Sequence, residues 1–329
     1  MKSLLRGGAA LPVVLLAIWC GFALGFRLPG PTVLRHGAGG LFVLGVLAIL
    51  FAVHPLRRKI GALAAVFLLF GAWYATIRPS NDRDWSPEVA RPPTAVVRGD
   101  TLVVQNVRNF DYRSETDFSE RWEERTFDLA KLQGADLFLS YWGSPSIAHT
   151  IVSWDFSDGQ HLAISIETRK QRGEEYSAVR GFFREYELYY VVADERDLVR
   201  LRTNYRDEQV YLYRIGMPAA VARDILLDYV KTLNDLAEHP RWYNAMVDNC
   251  TTGIRVHVQH VAAPRPWDWR ILANGYIDRM LYERGTINTA LPFAELKQAS
   301  NVVARAKAAD QDPDFSARIR EGLPPRPQP

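Results

Sequence analysis

The chain has two cysteines, Cys20 and Cys250, and the surroundings of Cys250 suit a reactive thiol. It follows Tyr243-Asn244-Ala245-Met246-Val247-Asp248-Asn249 and precedes Thr251-Thr252, where a loop of capping residues turns into a helix. Asp248 or Asn249 can serve as the N-cap. A thiol in the first turn lies at the positive end of the helix dipole, which favours the nucleophilic thiolate. N–H groups at the same helix start can hold the oxyanion of an attacked carbonyl. Asn249, beside the thiol, is therefore grouped with the substrate-binding residues.

A cysteine nucleophile needs a histidine to take its proton and a third group to orient the ring. The choices beyond the first quarter of the chain are His149, His161, His239, His257 and His260. His239 precedes Pro240 at a helix end. His257 and His260 follow Cys250 on its own helix, displaced along the axis by about 10 Å or more.

His149 and His161 sit on two strands flanking Ser157-Asp158-Gly159-Gln160, a hairpin turn. Val152, Trp154 and Phe156 on one strand and Leu162, Ile164 and Ile166 on the other are the apolar positions, all even-numbered. One buried face for both sets requires even to pair with even. A loop that sets Phe156 opposite Gln160 satisfies this and brings His149 across from Glu167, with Cβ atoms about 5 Å apart. Glu167 is thus the first choice for the third member and His161 the alternative. The odd face carries His149, Ser153, His161, Ser165, Glu167 and Arg169, so a solvated outer face is the plainer reading. Arg169 is a candidate for binding an anionic substrate group, or else for a salt bridge with a neighbouring glutamate. No metal and no cofactor are expected, because Cys250 with His257 and His260 lacks the ligand spacing of familiar zinc sites.

The elements that carry these residues follow from periodicity. Ala95–Val107 reads as a strand or a hairpin through Arg98-Gly99-Asp100. Asp136–Tyr141, Ala148–Phe156, His161–Arg169, Glu187–Ala193 and Gln209–Ile215 read as strands bounded by turn residues. After Pro218 the apolar spacing becomes helical up to His239-Pro240, and a second helix starts near Asn249. Ala273–Tyr282 and Pro292–Ala309 read as helical. Asp194-Glu195-Arg196-Asp197 reads as a solvated turn. Strands followed by helices predict an α+β domain over 95–309, after a linker at 79–94 and before a disordered tail at 310–329.

Three earlier runs lack any charged residue: from after Arg6 to Phe26, Gly37–Val53 and Ile60–Ile77. Each approaches the roughly 17–25 residues that cross a bilayer, so residues 1–78 are read as a membrane anchor of three transmembrane helices. Basic residues at the N-terminus and at Arg57-Arg58-Lys59 favour those ends in the cytoplasm, which puts the soluble domain outside, in the periplasm on a bacterial inner membrane if the host is Gram-negative. From Arg78 onward 33 basic residues face 37 acidic ones, which argues against nucleic acid as a partner. Cys20 lies in a span, far in sequence from Cys250, so no disulfide framework is expected.

Asp136-Leu137-Phe138-Leu139-Ser140, Ala148-His149-Thr150, Ser165-Ile166-Glu167-Thr168-Arg169, Asp194-Glu195-Arg196-Asp197 and Asn249-Cys250-Thr251-Thr252 together resemble the N-terminal periplasmic domain of the Lnb-type lipoprotein N-acyltransferases. More distantly, the chain resembles circularly permuted papain-like (NlpC-type) hydrolases and acyltransferases such as lecithin retinol acyltransferase. The resemblance implies a papain-like domain with an antiparallel sheet and packed helices, with Cys250 as nucleophile, His149 as base and Glu167 as third member. It also implies acyl transfer through a thioester, with a phospholipid or lipoprotein as substrate and the membrane as partner. Two other readings stand beside this one: a non-catalytic envelope binding module, and a papain-like peptidoglycan peptidase.

Overall fold

Charge-free segments this long have no stable home in water, and they form the first three helices: α1 (Lys2–Arg27), α2 (Thr32–Ala52) and α3 (Leu56–Thr76). The structure is a computed structural model describing residues 2–328, with side chains from Ala10 onward. Each of the three helices holds a stretch of at least 18 residues apolar enough to span a membrane. Leu41, Leu68 and Leu69 are more than two-thirds exposed, as suits contact with lipid. A Cβ on Gly39 would lie 2.3 Å from the Gly21 carbonyl oxygen, so α1 and α2 approach through small residues as membrane helices do.

The chain divides into two units. The first joins the part up to Ser80 with Tyr176–Glu187 and Trp242–Ala245. Within it the Phe183 ring lies 5.8 Å from that of Trp19 and 5.2 Å from that of Phe26, and Arg27 pairs with Glu185 at 3.0 Å.

The second unit is built on a mixed sheet. In chain order its strands are β1 (Thr94–Arg98), β2 (Thr101–Arg108), the two-residue pair β3 (Asp111–Tyr112) and β4 (Phe118–Ser119), β5 (Trp122–Asp128), β6 (Leu132–Tyr141), β7 (Ala148–Phe156), β8 (His161–Arg169), β9 (Glu187–Ala193) and β10 (Gln209–Arg214). The order across the main sheet is β1-β2-β9-β8-β7-β6-β10, with β5 on β2; β3 and β4 pair apart from it. The described registers are antiparallel except where β2 meets β9. The helices are α4 (Glu195–Arg200), α5 (Ala219–Glu238), α6 (Cys250–Val261), α7 (Ile277–Glu283), α8 (Phe293–Ser300), α9 (Val303–Ala308) and α10 (Phe315–Arg318).

The hairpin takes the register that its alternation requires. Asp155 pairs with His161, Val152 with Ile164 and Ile151 with Ser165, and the Phe156 N–H donates to the Gln160 carbonyl at 3.1 Å. Both faces of the sheet are covered. On the even face the Trp154 indole donates to Ala222 O of α5 at 3.0 Å. On the odd face Ile151 and Ala163 pack with Val199, Ala306, Phe315 and Ile319. The odd face is therefore no solvated surface, and its polar groups need partners within the protein.

Three expectations change for that reason. Asp194-Glu195-Arg196-Asp197 is not a solvated turn: it caps and begins α4, where Asp197 is buried against Arg108 at 2.7 Å and Glu195 accepts from Ser153 at 2.5 Å. The tail beyond 310 is ordered against the sheet, with Phe315 and Ile319 in the core and Arg320 and Arg326 each 2.9 Å from the buried Asp136. A buried carboxylate needs such partners, since stripping one from a buried pair costs about 3–5 kcal/mol. The expected linker also joins the fold, because Trp85 is buried and bridges to Gln171.

Candidate functional site

Asn249 fixes where α6 begins. Its Oδ1 accepts the N–H groups of Thr251 and Thr252, both at 2.9 Å, and its own N–H donates to Thr252 Oγ1 at 2.9 Å. This reciprocal capping box satisfies donors that a helix start leaves open and makes Cys250 the first helical residue. It also engages two of the N–H groups that the sequence offered to an oxyanion. Asn249 thus holds the thiol in place rather than facing a substrate with its side-chain oxygen.

The Cys250 thiol is buried with Thr251 Oγ1 at 3.8 Å and the Asn274 amide nitrogen at 3.9 Å. Asn274 is itself held on two sides: its amide donates to Thr251 Oγ1 at 2.7 Å and its oxygen accepts the Ala148 N–H at 2.8 Å. Gly275 makes this possible. A Cβ there would lie 2.2 Å from the Pro145 carbonyl oxygen, so only glycine lets this segment lie against the entry to β7.

His149 comes to the thiol from β7. Its Nε2 lies 2.6 Å from Ser165 Oγ and 3.3 Å from Glu167 Oε1, while Ser165 donates to the same Glu167 oxygen at 2.8 Å. A hydroxyl that donates to the carboxylate accepts from the imidazole, so Nε2 carries the proton and Nδ1 is left for the thiol. Arg202 closes the arrangement, 2.9 Å from Glu167 and 3.2 Å from Glu208. Glu208 in turn takes a bond from Ser140, the β6 residue paired with His149.

The electrostatics follow. Burial opposes a charged thiolate, but the adjacent His149 charge and hydrogen bond, with bonds from Thr150, bring the Cys250 thiol down to about 6. For His149, burial and Arg202 disfavour the imidazolium, and Glu167 with the Cys250 thiolate outweigh them, raising it to about 9. Burial also opposes ionised Glu167, yet His149, Arg202 and Ser165 hold its carboxyl well below the usual range. Near neutral pH the favoured state is a thiolate–imidazolium pair backed by a carboxylate.

An apolar cavity of about 250 Å³ lies in the same unit. Its wall includes Thr150 and Thr251, the chain neighbours of His149 and Cys250, together with Val152, Ile254, Val258 and Met280.

The other sequence candidates lie elsewhere. His161 is at the far end of the hairpin, 3.4 Å from Asp155; six strand residues from His149 is roughly 20 Å, so it cannot orient that ring. Arg169 is corrected as well. It is 1 % exposed, and its guanidinium donates to Val89 O, Asn81 Oδ1 and Ala90 O while lying over Trp85, so it braces the domain. His239 is a surface residue beside Asp235. Arg202 and Asn274 were not singled out in the sequence. Arg202 occupies a π-helical turn, Leu201–Tyr205, with no repeating pattern to mark it, whereas the Asn274-Gly275 pair does signal a tight approach.

No curated protein and no solved structure matches the chain. Three helices long and apolar enough to cross a membrane precede the domain that holds the site. The segment that carries Cys250, His149, Glu167 and Asn274, residues 118–275, matches the family model described as the Lnb N-terminal periplasmic domain, and with the apolar helices that precede it this fits an inner-membrane protein whose soluble part faces the periplasm.

Proposed function

We propose that this protein is a membrane-anchored thiol acyltransferase or hydrolase acting on a lipid-linked acyl group. The observation that carries the reading is the apolar cavity whose wall contains the neighbours of both Cys250 and His149. A cavity lined in this way suits a hydrocarbon chain and offers little to the polar stems of peptidoglycan. By analogy with papain-like enzymes, Cys250 is the nucleophile and His149 the base.

In the first half-reaction the Cys250 thiolate attacks the carbonyl carbon of an acyl ester. A C–S bond forms, the C–O bond breaks, and the departing alkoxide takes the proton from His149. The Asn274 amide nitrogen, 3.9 Å from the thiol sulfur and with one N–H on Thr251 Oγ1, would offer its other N–H to the oxyanion. In the second half, the α-amine of a diacylglyceryl-cysteine attacks the thioester, His149 accepts its proton, and the thiolate leaves. Water in place of the amine gives hydrolysis. Glu167, directly and through Ser165, keeps the ring oriented and its charge favoured.

The test is intact-mass analysis of full-length protein in detergent after incubation with a phospholipid. An adduct of one acyl chain on Cys250, labile to hydroxylamine and absent in Cys250→Ser, is expected. Absence of the adduct, or an equal one in the variant, overturns the proposal.

A further inference from the structure

His257 and His260 occupy positions i and i+3 of α6, one helical turn apart on one face, and both turn Nδ1 toward the same atom. Oδ2 of Asp228, on α5, lies 2.6 Å from Nδ1 of His257 and 2.9 Å from Nδ1 of His260. The three donor atoms fall within 4.8 Å of one another, so a small cation among them reaches each with minor side-chain movement. Two neutral imidazoles and a carboxylate are a donor set for zinc and similar divalent transition metals.

A second feature favours a ligand. The outer nitrogen of His257, Nε2, lies 2.8 Å from the Tyr190 hydroxyl, and its ring stacks on Tyr229 with centroids 3.8 Å apart. A hydrogen bond on the far nitrogen and a packed ring are what fixes the orientation of a metal-bound histidine. The His257 side chain is 3 % exposed and that of His260 57 %, so the cluster has a rigid inner ligand and an outer ligand open to entering ions.

We propose that Asp228, His257 and His260 bind a divalent transition-metal ion that ties α5 to α6. The sequence offered only Cys250 as a companion to these two histidines; Asp228 reaches them from the preceding helix. The metal would brace the helix whose first residue is Cys250, from a point at least two turns along it.

The experiment uses full-length protein in detergent, stripped with EDTA and titrated with Zn²⁺ by calorimetry and with Co²⁺ by visible absorption. One equivalent is expected to bind, with d–d bands and no thiolate charge-transfer band, and to raise Tm. Kd is expected to rise at least tenfold in His260→Ala and in Asp228→Asn and to stay unchanged in Cys250→Ser. Because His260 is exposed, its variant should keep the metal-free Tm, which separates lost binding from lost folding. No binding by the native protein, undiminished binding in either cluster variant, or loss in Cys250→Ser overturns the proposal.

Discussion

Ser165 places its hydroxyl 2.6 Å from Nε2 of His149. The contact makes serine an intermediary between imidazole and carboxylate, supplementing the longer direct approach of Glu167 at 3.3 Å. Glu167→Gln removes a charge that favours the imidazolium while Arg202, which opposes it, remains. The variant should lose about 10²-fold in acyl-transfer rate, within the range typical of acid–base groups. Its alkaline limit should also move to lower pH. Rate profiles of native and variant protein check this, and an unmoved limit would leave Glu167 with a purely structural role.

The ion pair sets the pH window. The thiolate forms as pH rises through about 6, and the imidazolium proton is lost as pH rises through about 9. Activity should therefore climb across the first, hold between them and fall across the second, the two values belonging to the coupled pair. Alkylation of Cys250 by iodoacetamide, followed on its own peptide to exclude Cys20, should show the lower midpoint. In His149→Ala that midpoint should rise into or above the ordinary thiol range of about 8.5.

Filling the cavity should discriminate between substrates by chain length. Ile254→Trp on α6 places bulk in the apolar wall and leaves the thiol and its histidine in place. Turnover of a long-chain ester should fall at least tenfold while that of an acetyl ester changes less than threefold. Equal losses on both would detach the cavity from the reaction.

The cap on α6 has a stability consequence. Asn249→Ala removes the acceptor for two helix-start N–H groups and should cost about 1 kcal/mol, read by thermal melts at fixed detergent. The released N–H groups also change the field at Cys250, so its alkylation profile should shift in the same variant.

Much of the arrangement was legible before the structure. Even-numbered apolar residues on both sides of Ser157-Asp158-Gly159-Gln160 imposed the register that sets His149 toward Glu167, because a slip of one residue would turn every side chain over. Asp248 and Asn249 were both cap candidates by residue type, and the structure gives the role to Asn249. Arg202 and Asp228 were hidden because each reaches its partner across an element boundary, to Glu167 on β8 and to the histidines of α6, and periodicity carries no information about which faces meet; the Asn274-Gly275 pair signals a close approach but not what it approaches. Arg169 misled because an arginine on a strand looks the same whether it faces solvent or stacks on Trp85. The acidic run at 194–197 misled because charge patterning assumes water outside, and α4 lies between the sheet and the C-terminal segment.

That segment also bears on how the protein matures. Arg320 and Arg326 complete the charge balance of Asp136, a residue in the interior of β6. The sheet therefore acquires its last counter-ions from residues synthesised almost two hundred positions later. Until they arrive Asp136 has, among the described residues, only the more distant Arg214, at 3.7 Å, so the centre of the sheet reaches its full complement of ion pairs only when the last residues of the chain dock.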